Sequence, residues 1–99
     1  MKEVILVFLG DTHLTIGIMQ LISEGIISKE DVIKCLHRHL NLDYGDTDPH
    51  DAGVNDRNLN HNCGTVHSSY MINENRIWII TSIGDIDTTN TVVLLPNEY

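Results

Sequence analysis

The stretch TVHSSYMI (65–72), NEN (73–75) and RIWIITSI (76–83) decides the fold. From Thr65 to Ile72 the residues alternate, with Val66, Ser68, Tyr70 and Ile72 on one side and His67, Ser69 and Met71 on the other. After Asn73-Glu74-Asn75 the alternation resumes, with Ile77, Ile79, Thr81 and Ile83 opposite Arg76, Trp78, Ile80 and Ser82. Strand side chains repeat every second residue, and β-branched and aromatic groups suit the pleated surface. Two such runs with a tight connection predict an antiparallel hairpin. A polar turn over 84–90 and an apolar run over 91–95, closed by Pro96, extend it to a C-terminal three-stranded meander.

Upstream the period changes to that of a helix. Ser28-Lys29-Glu30-Asp31 reads as an N-cap followed by acidic residues, which the helix dipole favours. Val32, Ile33, Leu36 and Leu40 then form one apolar stripe, predicting a helix over 29–41. An earlier helix runs through Ile16, Met19, Leu21 and Ile22 to Gly25, which suits the position just past a helix end. Asp48-Pro49 predicts a third, exposed helix over 49–59, with Asp48 as cap and Ala52, Val54 and Leu59 as a thin apolar face. Residues 4–9 (VILVFL) read as a buried first strand, with Gly10-Asp11 as a turn and 12–16 as a short return strand.

Strands segregated from helices predict one α+β domain over residues 1–99. Its expected form is an antiparallel sheet with two or three helices packed on one face.

Of 99 residues, 41 % are apolar and 20 % charged, as in one soluble globular domain. Fourteen acidic against six basic residues give a net charge of −8, which excludes a protein that coats duplex nucleic acid or an anionic membrane. The apolar run near the start is short for a secretory signal, and nothing approaches the length of a membrane helix, so a cytoplasmic protein is expected. In that compartment Cys35 and Cys63 are expected to be free thiols.

Several chemistries were open to these residues. Asp43, Asp46, Asp48, Asp51 and Asp56 crowd one segment, but a loop starting at Asp43 or at Asp46 has neither the glycine nor the acid where a calcium loop needs them. Cys35, His37 and His39 precede His61, Cys63 and His67, yet the paired short spacings of a structural zinc module are missing. No phosphate loop or nucleophile elbow occurs. No cofactor, metal or catalytic residue is therefore expected. Arg38, Arg57, Arg76, Tyr44, Tyr70 and Trp78 supply planar, donor-bearing groups for recognising an anion or a nucleobase.

Arg38-His39, Asp43-Tyr44-Gly45-Asp46, Asp51, Asn55, Ser69-Tyr70, Ile77-Trp78-Ile79-Ile80-Thr81 and the closing LLPNEY (94–99) follow one another in a familiar order. That order resembles a family of small proteins carried by plasmids, phages and other mobile elements, often labelled plasmid-related proteins or type I restriction subunits. The family pattern runs RH, GDWG, an acid, Asn, S-x-Y, IWIIT, TT and LLPxEY. Here Leu42-Asp43-Tyr44-Gly45 stands for GDWG, so a role of the indole passes to Tyr44. The chain has neither the length nor a cofactor loop for methyl transfer.

The resemblance implies mobile-element origin and picks out a candidate ligand site: Arg38, His39, Asp43, Tyr44, Asp46, Asp51 and Asn55, with Ser69, Tyr70, Trp78 and Thr81. Arg76 joins them as a cation on the same strand as Trp78. The competing reading is structural, with Asp43 paired to Arg38 and the Asn and Thr groups tying down the loop. The leading expectation is a non-enzymatic protein that binds a small anionic, nucleotide-like signal or a host defence protein. Two alternatives stand beside it: an acidic inhibitor that partly mimics nucleic acid, and a small metal-dependent hydrolase. A homo-oligomer is expected to cover the sheet edges.

Overall fold

The computed structural model describes residues 9–85 and 87–99. Strand β1 (Asp11–Leu14) leads into helices α1 (Ile16–Ser23), α2 (Lys29–Leu40) and α3 (Pro49–His61). Strands β2 (Gly64–Ile72), β3 (Asn75–Ile83) and β4 (Asn90–Leu94) follow, then a single 3-10 turn (Pro96–Glu98). The chain is α+β. Of the first strand expected over residues 4–9, all but Leu9 lies outside the described residues.

The meander forms as the alternation requires. Ile72 faces Asn75 across β2 and β3, so the connection is the two residues Asn73 and Glu74, at φ 49° and 69°. Two left-handed residues make the tight turn whose twist matches a hairpin. Asn73 Nδ2 also donates to the Ile26 carbonyl at 2.9 Å, tying the turn to the loop before α2.

One expectation is corrected. The sheet is mixed, in the order β1-β4-β3-β2, with β1 parallel to β4. Strand β1 does not lie against an antiparallel hairpin partner among the described residues. After it, the three helices carry the chain across to the opposite edge. The meander then returns, so its last strand arrives beside β1 running the same way. The short strand also ends at Leu14, not Ile16, because Thr15 caps α1. Its hydroxyl accepts from the Ile18 N–H at 3.4 Å.

Helix α2 begins as its sequence demands, with Ser28 Oγ accepting from Asp31 N and Asp31 Oδ2 accepting from Ser28 N. This reciprocal pairing satisfies two helix-end donors at once. Helix α3 starts at Asp48-Pro49 as expected but runs two residues beyond 59, to His61. It stops where Asn62 takes the left-handed conformation, φ 56°.

Helices α1 and α2 cover the inner face of the sheet. Ile18, Ile27, Val32 and Cys35 pack there against Tyr70, Ile72, Ile77, Ile79 and Val93. Each such side chain withdrawn from water contributes about 1.5–3 kcal/mol. Cys35 is a free buried thiol, pushed up in pKa by that burial, and Cys63 is free and exposed.

Candidate functional site

The twelve predicted site residues do not converge on one spot. They fall into three groups: a brace along the β2 edge, a chain of hydrogen bonds inside the core, and part of the outer sheet face.

The brace is built on the segment between α2 and α3. Gly45, at φ 67°, lets this segment lie alongside β2: Asp46 N donates to the Ser69 carbonyl at 2.7 Å, and Ser69 N donates to the Tyr44 carbonyl at 3.1 Å. Two ion pairs hold it from either side. Arg38 Nε and Nη2 reach Asp43 at 2.7 and 3.3 Å, and the guanidinium lies 4.7 Å above the Tyr70 ring. Arg76 Nη1 donates to Asp46 Oδ2 at 2.9 Å and to Ser69 Oγ at 3.2 Å. Both pairs are half exposed, so each contributes about 1 kcal/mol or less. Arg38, with help from the Gly45 N–H, still holds the Asp43 carboxyl below its ordinary range.

Tyr44 and Tyr70 are buried members of the brace. Tyr70 donates to the Asp43 carbonyl at 2.6 Å, and burial pushes its phenol up to about 12. Tyr44 donates to Asp56 Oδ1 at 2.9 Å, and burial beside that carboxylate raises it too. Neither ring is open to a stacking ligand. Further along the same edge, Asn55 is 2 % exposed. Its side-chain amide gives to the His67 carbonyl at 2.8 Å and takes from the His67 N–H at 2.9 Å, as another strand would. Asn58, one turn on, donates to the Thr65 carbonyl at 2.8 Å. The thin apolar face expected of α3, Ala52, Val54 and Leu59, is half-buried, and polar contacts add to it. Two amides reading alternate peptides of β2 dock this helix. Asp51 is exposed in the first turn of α3, where its charge works against the burial that lowers His67.

His39 and Thr81 belong to the core. His39 Nδ1 is 2.6 Å from Ser68 Oγ, and Nε2 is 2.9 Å from Thr81 Oγ1. Thr81 Oγ1 meets Thr91 Oγ1 at 2.7 Å, and Thr91 donates to the Leu9 carbonyl at 2.7 Å. A carbonyl can only accept, and each hydroxyl has one proton, so the direction is fixed from Leu9 back to a proton on Nε2, and in the neutral ring that burial favours Nδ1 must accept. Thr81 gives to Thr91, His39 gives from Nε2 to Thr81, and Ser68 gives to Nδ1. The imidazole is neutral, in the Nε2–H form.

A serine donating to histidine resembles a nucleophile with its base. Here Ser68 is fully buried, and the group behind the histidine is a threonine hydroxyl in place of a carboxylate. The arrangement orders the core. Both His39 nitrogens are engaged, and among the described residues no three His, Cys, Asp or Glu side chains are placed to share a metal ion.

Burial, with a smaller contribution from His67, lowers His39 from 6.5 to about 4. Between those values the unfolded chain holds a proton that the native chain does not. Stability from this group is therefore complete above about pH 6.5 and is lost as pH falls toward 4. At 1.36 kcal/mol per pH unit the loss by pH 4.5 is roughly 2–3 kcal/mol, to which the lowered His67 adds in the same direction. Urea unfolding at about pH 7 and about pH 4.5 measures it; a stability unchanged over that interval contradicts a neutral buried imidazole.

The outer face is the third place. Register sets His67, Ile80, Val92 and His13 in one row across all four strands, and Ser69, Trp78 and Leu94 in the next. Neither α1 nor α2 packs here, and α3 keeps to the β2 edge. Trp78 makes edge-on contacts with His67 at 4.8 Å and with Tyr99 at 5.6 Å. Tyr99 is 81 % exposed. Arg76 lies two residues from Trp78 on the same side of β3, its guanidinium against Ser69, the cross-strand neighbour of Trp78.

Ser68, Thr91, Asn58, His67 and Tyr99 were outside the predicted set. For Ser68 the signal was present: a hydroxyl in the buried row between Val66 and Tyr70 calls for a polar partner. Scans of protein-family models, of curated proteins and of solved structures each found no match.

Proposed function

We propose that this chain is a non-enzymatic binding protein of mobile-element origin that attaches to a host defence protein through the outer face of its sheet. The observation that carries this reading is the aromatic and aliphatic centre of that face, Trp78, Ile80, Val92 and Tyr99, with Arg76 and Met71 beside it. Trp, Tyr, Met and Arg are the groups enriched at protein contacts, and a sheet face is flat, as such contacts are. Arg38, Asp43, Tyr44, Asn55 and Tyr70 are already engaged within the molecule, which supports assigning them to the brace. The acidic segment offers less to a nucleic-acid mimic, since Asp43, Asp46, Asp48 and Asp56 are each bonded internally.

The test is capture of a host protein by immobilised wild type, compared with Trp78→Ala and Arg38→Ala. The expected result is one protein held by wild type and Arg38→Ala and lost, by roughly a hundredfold in affinity, with Trp78→Ala. Equal capture by all three sinks the reading.

A second reading, a small nucleotide-like anion, is favoured by one feature: the exposed Tyr99 ring beside Trp78 and the Arg76 cation. Trp78 is the sole tryptophan. Quenching of its emission by a panel of cyclic and linear nucleotides separates the two readings directly.

A further inference from the structure

We propose that Glu98 is a latch: by closing on the first turn of α1 it fixes the Tyr99 ring against Trp78 and His67, and so acts as a positioning residue for that aromatic corner.

The latch is an acid that α1 does not carry itself. Thr15 caps this helix, but Ile16, Gly17 and Ile18 follow, so its first turn holds no acid. The usual mate of a capping threonine, a Glu or Gln three residues on, is missing. Glu98 supplies it from 83 residues away. Thr15 Oγ1 donates to Glu98 Oε1 at 2.6 Å, Leu95 N donates to the same oxygen at 2.8 Å, and Gly17 N donates to Oε2 at 2.9 Å. Negative charge is favoured beside a helix start, and charge-assisted bonds are the strong ones. The Thr15 hydroxyl foremost, with the two N–H groups, holds the Glu98 carboxyl below its usual range.

The contact is fitted to a carboxylate. Thr15 Oγ1 already accepts from Ile18 N, so its proton is free to go to Glu98. Both Glu98 oxygens thus face donors, and an amide in the same place turns an N–H toward one of them. Gly17 is fitted to the same contact: a Cβ there would stand 2.6 Å from Glu98 Oε2 and 2.8 Å from Leu95 Cδ1. The glycine that weakens α1 as a helix former is the one that lets the carboxylate approach.

Little else decides where Tyr99 lies. Leu95 is anchored against the core. Beyond it, Glu98 N donates to Leu95 O and Tyr99 N to Pro96 O, bonds that stay within the turn. Among the described residues, its hydrogen bonds to another element are those of Glu98 to Thr15 and Gly17. The Tyr99 ring is 81 % exposed and stands 5.6 Å from Trp78 and 6.2 Å from His67. A ring that buries so little is not held in place by packing.

Where the outer face is the contact surface proposed above, the latch presets the Trp78–Tyr99 corner and spares a partner the ordering of that ring. That consequence rests on the contact reading; the latch does not.

Trp78 is the sole tryptophan and is half-buried, so quenching of its emission by acrylamide reads the ring beside it. Tyr99→Ala sets the value for the uncovered indole. Glu98→Gln and Gly17→Ala, made from opposite sides of one contact, should each raise quenching from the wild-type value to that of Tyr99→Ala, with circular dichroism unchanged. The double variant should add nothing to either single one. Thr15→Ser, which keeps the hydroxyl, should stay at the wild-type value. Wild-type quenching in either folded variant overturns the latch, and so does a Tyr99→Ala value equal to wild type. A host protein captured by wild type should be held roughly tenfold more weakly by Glu98→Gln; equal retention overturns the presetting of the corner. Capture of no protein by wild type sinks the contact reading alone, since quenching is measured without a partner.

Discussion

Replacing His39 by alanine is expected to destabilise the protein by roughly 3–5 kcal/mol, enough to consume much of a small domain's stability. The imidazole is 4 % exposed and stands between Ser68 and Thr81. Its removal opens a cavity and leaves two buried hydroxyls without their partner, and the two penalties arise together. Denaturant unfolding of wild type and variant measures the difference. Thr91→Val supplies a graded comparison: it keeps the shape but cuts the link to the Leu9 carbonyl, and should cost about 1–3 kcal/mol. A loss below about 1 kcal/mol for His39→Ala would show that water replaces the ring without strain.

Gly45→Ala is expected to cost about 3 kcal/mol or more, although it adds one methyl group on a surface segment. At φ 67° an alanine is itself disfavoured by about 1–2 kcal/mol. Its methyl would overlap the Ser69 carbonyl oxygen and approach Tyr70 Cδ1 to 2.6 Å. Relief comes only by drawing the segment off β2, which breaks the two backbone bonds there and loosens both Arg–Asp pairs. Gly53 makes the contrast. It lies within α3 with open space where a methyl would go, so Gly53→Ala should stabilise by up to about 1 kcal/mol through helix propensity. Paired thermal melts of the two variants show opposite shifts; equal shifts would contradict the placement of the Gly45 segment against β2.

Much of the fold was legible because its elements carry local signals. Alternation placed both strands of the hairpin, Ser28 and Asp31 set the start of α2, and Asp48-Pro49 set the start of α3. The parallel pairing of β1 was not legible, since alternation tells which way a side chain points and not which strand lies next to it. That neighbour depends on where three helices deliver the chain. The polar attachment of α3 was hidden for a related reason. Hydrophobic periodicity cannot register a helix held by Asn55 and Asn58 to the backbone of another element.

The site was legible as a set of residues and not as a place. Arg38 and Asp43, five residues apart at a helix end, were within reach of one another on any reading. Arg76 and Arg38 instead lie on opposite sides of the β2 edge, so they cannot close on one ligand. The polar residues in the buried rows, Ser68 and Thr81, announced a partner without saying that it was His39.

The edge of β2 has a consequence at the scale of many molecules. From Thr65 to Ser69 its outward peptide groups are already spoken for by Asn58, Asn55 and the Gly45 segment. Strands from other copies have nowhere to add there. A ribbon growing edge to edge needs two open ends per unit, and this unit has at most one. Any such ribbon terminates at two units, so three short contacts on one side act as a chain terminator against fibril growth.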